Sequence, residues 1–145
     1  MERLTLKELA PYLPFKLKVK TRVGGKILEM MSLSTVTHKG QICIETYGGN
    51  FGDMWFKPLL RPLSSFNGYF SKLFDKDVDV RTFLNEGFIT QENQFSDLDD
   101  MLFNYKIEWW PYGVIQLALK NHFDIHGLID RGLALPIDRK EVEGE

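Results

Sequence analysis

At 145 residues, 43% hydrophobic and 26% charged, the chain is long enough for one domain with its own core and too apolar to stay disordered. No apolar run approaches the roughly 18 residues of a spanning helix, the first residues lack the apolar segment of a signal peptide, and a single cysteine excludes an internal disulfide. The expectation is a cytoplasmic protein that enters no membrane. The net charge of −2 hides an asymmetry: residues 1–62 hold ten Lys/Arg against five Asp/Glu, and residues 63–145 hold eight against fifteen. That pattern fits a basic half turned toward nucleic acid, or two halves that dock on each other.

Thr5-Leu6-Lys7-Glu8 has capping-box spacing and predicts a short helix from Leu6 to about Ala10, ended by Pro11 and Pro14. From Phe15 the period becomes two: Leu17, Val19, Thr21 and Val23 alternate with Lys16, Lys18, Lys20 and Arg22, a strand with one buried and one basic face. Gly24-Gly25 signals a hairpin turn into a second strand, Lys26 to about Thr37, whose apolar residues do not keep one parity and so require a bulge or bend. After a turn at His38-Lys39-Gly40 comes a third strand, Gln41–Tyr47, holding Cys43 as a buried, inert thiol. Gly48-Gly49-Asn50 then turns into a fourth strand around Met54-Trp55-Phe56. Pro58 and Pro62 make Lys57–Leu63 an edge or an extended connection.

Beyond it the signals are helical: Phe66–Phe74, Val80–Glu86 between Asp79 and Gly87, and Leu98–Phe103 with Ser96 as cap, then a short strand over Lys106–Trp109. The stretch 109–137 is the most patterned. Pro111 opens a helix with Val114, Leu117 and Ala118 on one stripe and Ile115 and Leu119 beside it. Asp124 caps a second helix, Ile125–Arg131, which Gly132 closes. The fold class expected is α+β: a small, strongly bent antiparallel sheet of the SH3-like barrel kind with a C-terminal helical part. It forms a single domain with a β-rich part at 12–63, a helical part at 64–137 and a frayed tail at 138–145.

Few constellations carry chemistry. His122, Asp124 and His126 have spacing that could hold a divalent metal for a hydrolase, but a break at Asp124 would separate the imidazoles, and no HExxH glutamate follows His122. Asp75, Asp77, Asp79 and Glu86 match four positions of a calcium loop that fails at Val80, where a glycine is needed. Asp97, Asp99 and Asp100 suit the first turn of a helix without any ion. No cofactor is implied. The basic face Lys16, Lys18, Lys20 and Arg22, with Trp55, Phe56 or Tyr47 as stacking surface, suits nucleic acid; the same lysines would also protect an edge strand. Trp109 and Trp110 are adjacent and cannot both face one core, so one of them offers a surface anchor. The leading expectation is a non-catalytic protein that binds a protein partner through Trp55, Trp109 and Trp110; nucleic-acid binding is the alternative.

Three stretches carry a resemblance: Leu9-Ala10-Pro11-Tyr12-Leu13-Pro14, Lys57-Pro58-Leu59-Leu60-Arg61-Pro62-Leu63-Ser64, and His122 through Ala134. Through them the chain resembles a group of small proteins encoded by gut Bacteroidales bacteria and by their prophages and phages. The resemblance implies a bacterial or phage origin and a cytoplasmic life. It brings no activity, substrate or cofactor, and no functional residue is carried over.

Overall fold

The computed structural model describes residues 3–35, 41–74, 98–104 and 106–137. The chain is mixed α+β and divides into two compact units, Met1–Arg61 with His126–Glu145, and Pro62–Ile125. Residues 126–137, expected in the helical part, thus belong to the β unit. The predicted turn at His38-Lys39-Gly40, the Asp75–Asp79 pattern with helix Val80–Glu86, the Ser96 cap, Asp97 and the tail from Asp138 lie outside the described residues.

In the β unit, helix α1 (Leu6–Leu9) carries the expected capping box: the Glu8 N–H donates to the Thr5 hydroxyl at 3.3 Å and the Thr5 N–H donates to the Glu8 carboxylate at 3.1 Å. The prolines do not stop the chain there. It continues as a 3₁₀ segment, Ala10–Phe15, which ends where Lys16 turns left-handed at φ 57°. Strand β1 (Lys18–Thr21) follows, with Val19 and Thr21 buried as the period of two requires. Its hairpin loop is longer than the two glycines, running from Arg22 to Gly25. Gly24 and Gly25 both have positive φ, and the Thr21 hydroxyl accepts from the Lys26 N–H and donates to the Val23 carbonyl, both at 2.9 Å.

The expected bend occurs at one point. β2 (Ile27–Glu29) and β3 (Ser32–Thr35) are consecutive, and between them the Met30 N–H donates to the Leu17 carbonyl and the Met31 N–H to the Glu45 carbonyl, each at 2.8 Å. Within two residues the chain leaves one ladder and enters the next, with Met30 buried at the corner. The strands therefore form two sheets. One is β3, β4 (Ile42–Thr46) and β5 (Gly49–Gly52) in that order; the other runs β2-β1-β6-β7, with β6 at Phe56–Leu60 and β7 at Leu135–Pro136. Among the described residues the ladders close no barrel. On β4, Ile42, Ile44 and Thr46 are buried while Cys43 is only half-buried.

Two details depart from the sequence reading. Gly49 and Asn50 belong to β5, so the turn shrinks to Tyr47-Gly48, closed by the Thr46 hydroxyl, which donates to the Gly49 carbonyl at 2.8 Å. More consequential, the proline-containing segment is a central strand. β6 pairs antiparallel with β1 and parallel with β7, and Pro58 fits because of its position. The Arg22 N–H donates to the Trp55 carbonyl at 2.8 Å, which fixes the bonded positions on β6 as 55, 57 and 59. Pro58 is therefore a non-bonded position toward β1, and pairing with β7 begins only at Leu59.

The helix expected over Ile125–Arg131 is a single turn. Its end is the one predicted: Gly132 is left-handed at φ 76°, its N–H donates to the Ile129 carbonyl, and the Leu133 N–H donates to the Leu128 carbonyl at 2.9 Å, a Schellman pair.

The second unit contains α2 (Phe66–Phe74), α3 (Leu98–Asn104) and α4 (Tyr112–Lys120); Lys106–Trp109, expected as a strand, is a 3₁₀ turn over Ile107–Trp109. Pro111 is the cap of α4, one residue outside its expected place, and Val114, Ala118 and Leu119 are the buried stripe. The core is aromatic. Phe66 lies 4.7 Å from Phe70 and 5.1 Å from Phe123 between ring centroids, and Trp110, Val114 and Ala118 belong to the same buried cluster. Beside it the Tyr69 hydroxyl donates to Asn121 Oδ1 at 2.8 Å.

A basic groove on the β unit as the candidate functional site

The period of two that buries Val19 and Thr21 turns Lys18 and Lys20 to the opposite face of β1. The register then selects their neighbours. Lys18 stands opposite Glu29 on β2, whereas Lys20 stands opposite Lys57 on β6, two like charges on adjacent strands. Just beyond the strand, the Arg22 backbone is held by its bond to Trp55.

These residues line one side of a groove of about 800 Å³. The start of the chain contributes Arg3 and Leu4, the turn between β5 and β6 contributes Asp53 and Met54, and Leu133 and Leu135 close the apolar floor with Phe56. Among the described residues its charged lining is Arg3, Lys20, Arg22 and Lys57 against Asp53, a formal charge of +3 in a chain whose net charge is −2. That carboxylate is already engaged. Arg3 donates to it through Nε and Nη2, both at 2.8 Å, and the Asp53 side chain is only 6% exposed. Donating to the Asp53 carboxylate also holds the Arg3 guanidinium above its ordinary pKa. The Thr21 hydroxyl in the lining is likewise occupied by its bonds to Val23 and Lys26. What the groove presents is positive charge around an apolar floor, the chemistry of anion binding.

Of the basic face read from the sequence, Lys20 and Arg22 line the groove. Lys18 does not, and Lys16 lies outside the strand on its left-handed turn. Of the rings considered for stacking, Phe56 is buried, Tyr47 is 90% exposed at its turn, and Trp55 is 53% exposed with the Arg22 guanidinium carbon 5.9 Å from its ring centroid. Trp55 thus stands beside the groove through Arg22. Of the adjacent tryptophans, Trp109 is 66% exposed while Trp110 is a core residue of the second unit and offers no surface.

The structure does not bring the candidate metal triad together. α4 ends in a Schellman pair in which His122 is the left-handed residue, at φ 61°: its N–H donates to the Leu119 carbonyl and the Phe123 N–H to the Ala118 carbonyl. The helix stops at His122, so His122 and His126 never share a helical face. Among the described residues no group of three or more His, Cys, Asp or Glu is placed to hold a metal ion, His122, Asp124 and His126 included.

Arg3, Lys57, Asp53, Leu133 and Leu135 escaped the sequence reading. Only Lys57 carried a signal, as a lone cation between Trp55-Phe56 and Pro58-Leu59-Leu60, and the prolines masked it. No helix among the described residues is long and apolar enough to cross a membrane. Compared with known protein families, curated proteins and solved structures, the chain matches none.

Proposed function

We propose that the protein is a non-catalytic binding protein of a bacterium or its phage, and that it takes nucleic acid in the basic groove of the β unit. One observation carries this reading: cations from three separate segments line a single concavity in which, among the described residues, the one carboxylate is bound to Arg3. A polyanion supplies the countercharge, and nucleic acid is the polyanion a cytoplasmic protein meets most densely. The strand order supports the SH3-like description of this unit. β1, the bent β2–β3 strand, β4 and β5 form a meander, and β6 returns to pair beside β1.

The test is binding of a fluorescein-labelled oligothymidine of about twelve nucleotides, a length within the range one small domain covers, followed by anisotropy over a salt series. Three phosphate contacts, from Lys20, Arg22 and Lys57, predict a slope of log affinity against log salt of about −2 for a single strand. Lys57→Glu should weaken binding and flatten the slope, with stability changed by less than about 0.5 kcal/mol, since the new carboxylate faces Lys20 across the ladder. Affinity that ignores both salt and the substitution would sink the proposal. A second reading, a protein partner on the helical unit, is favoured by the exposure of Trp109, Tyr112 and Phe103 there. Its mark is a complex that survives nuclease and is weakened by Trp109→Ala.

A further inference from the structure

We infer that the groove is built for an unpaired nucleotide: a base enters its apolar floor, the flanking phosphates sit on Lys20 and Lys57, and a neighbouring base stacks on Trp55. The inference rests on the nucleic-acid reading above and narrows it to single strands. The shape of the groove suits a single strand. Duplexes are read by elements that protrude into a base-pair groove, or by a surface that follows the backbone, and their bases stay stacked inside. Here the cations line a concavity of about 800 Å³, within the range of pockets that enclose small ligands. A duplex can lay phosphates across its mouth but has no apolar group to put inside.

The lining suits a nucleotide. Leu4, Met54, Leu133 and Leu135 give the interior an apolar character that a purely electrostatic phosphate contact does not need. A nucleotide joins the two chemistries in one residue, a flat base and a charged phosphate. Lys20 and Lys57 stand opposite each other on adjacent strands, so two cationic side chains are set side by side at the spacing of one ladder rung.

Trp55 is placed to stack on a base. Half of its surface is exposed at the turn that leads into β6, next to the groove-lining Arg22, whose guanidinium lies 5.9 Å from the ring centroid. Aromatic rings beside a basic track are how single strands are held without regard to sequence, because every base has a face to stack. The ring also makes a clean probe. The bond that holds this turn to β1 uses the Trp55 carbonyl, which a side-chain substitution leaves in place.

The experiment compares the labelled oligothymidine with the same strand annealed to its complement, using the full chain at one salt concentration. The single strand should bind at least about tenfold more tightly. Trp55→Ala should weaken the single strand by about 5- to 100-fold, the range expected for one lost stacking contact, and change the duplex by less than about twofold. Trp55→Phe should recover most of the loss, and a thermal melt of each variant establishes that the fold is retained. If duplex and single strand bind alike, or if Trp55→Ala leaves the single strand unchanged while salt still weakens binding, the inference is overturned and the groove reading survives. If neither strand binds, both are overturned.

Discussion

The two units differ in what surrounds their exposed rings. In the β unit Tyr12 and Phe56 are buried, Tyr47 and Trp55 are exposed, and the cations Arg3, Lys20, Arg22 and Lys57 gather around a concavity. In the helical unit Phe66, Phe70 and Phe123 are the core, and the notable exposed side chains are themselves aromatic, Trp109 and Tyr112. Whole-chain figures conceal both facts. A net charge of −2 gives the wrong sign for the groove, and an aromatic content of 13% does not say which rings remain available to a partner. The local sign and the local exposure are what chemistry acts on.

The strongest way to break this comparison is to damage one unit and watch the other. Phe123 is fully buried, with its ring 5.1 Å from Phe66, 5.7 Å from Phe70 and 5.4 Å from Tyr69. Phe123→Ala should cost about 3 to 5 kcal/mol, the range for emptying a core aromatic site. Amide hydrogen exchange would locate the damage: protection should fall over α2, α3 and α4 while the strands of the β unit keep theirs. Equal loss in both would mean that the chain behaves as one cooperative body.

The β unit has an electrostatic clamp with a pH signature of its own. Burial alone would push the Glu8 carboxyl up, but hydrogen bonds from Arg131 and Thr5, together with the Arg131 charge, outweigh it and hold the carboxyl below its ordinary value. A depressed folded value means that folding favours the ionised form. The stabilisation is therefore complete above the unfolded glutamate value of about 4.3 and is lost as pH falls through the lower folded one. Glu8→Gln should lose about 1 to 2 kcal/mol at pH 7. Its deficit in a urea melt should shrink below pH 4, and a deficit independent of pH would remove the ionic account.

These contacts also mark where the sequence could be read. The capping box at Thr5 and Glu8, the alternation along β1, the bend before Ser32 and the stripe on α4 are written within a few residues of the structure they produce. The groove is not, because Arg3, Lys20, Asp53, Lys57 and Leu133 come from distant segments, and their meeting depends on β6 running centrally despite Pro58. Nothing local announces that a proline can sit in a central strand when its missing donor falls where no partner is waiting. The two-residue strand β7 has no period to detect. The histidine pair is a different case: its spacing suits one helical face, but α4 ends at Lys120, before the first of the two.

The smallest expected effect compares one motif in both units. Each Schellman pair needs a left-handed residue, filled by Gly132 in the β unit and by His122 in the helical one. A β-carbon added at Gly132 would meet nothing within 4 Å, so Gly132→Ala introduces no clash and tests the backbone term alone. That term is about 1 kcal/mol for an L-residue in the left-handed region. His122 holds the same position with a β-carbon, so the penalty is one this chain already sustains elsewhere, and the variant should fold. A loss near 1 kcal/mol in a urea melt would fit a simple cap. A loss several times larger would mean that the turn before β7 controls how Leu133 and Leu135 are set in the groove, and oligothymidine affinity should then fall along with stability.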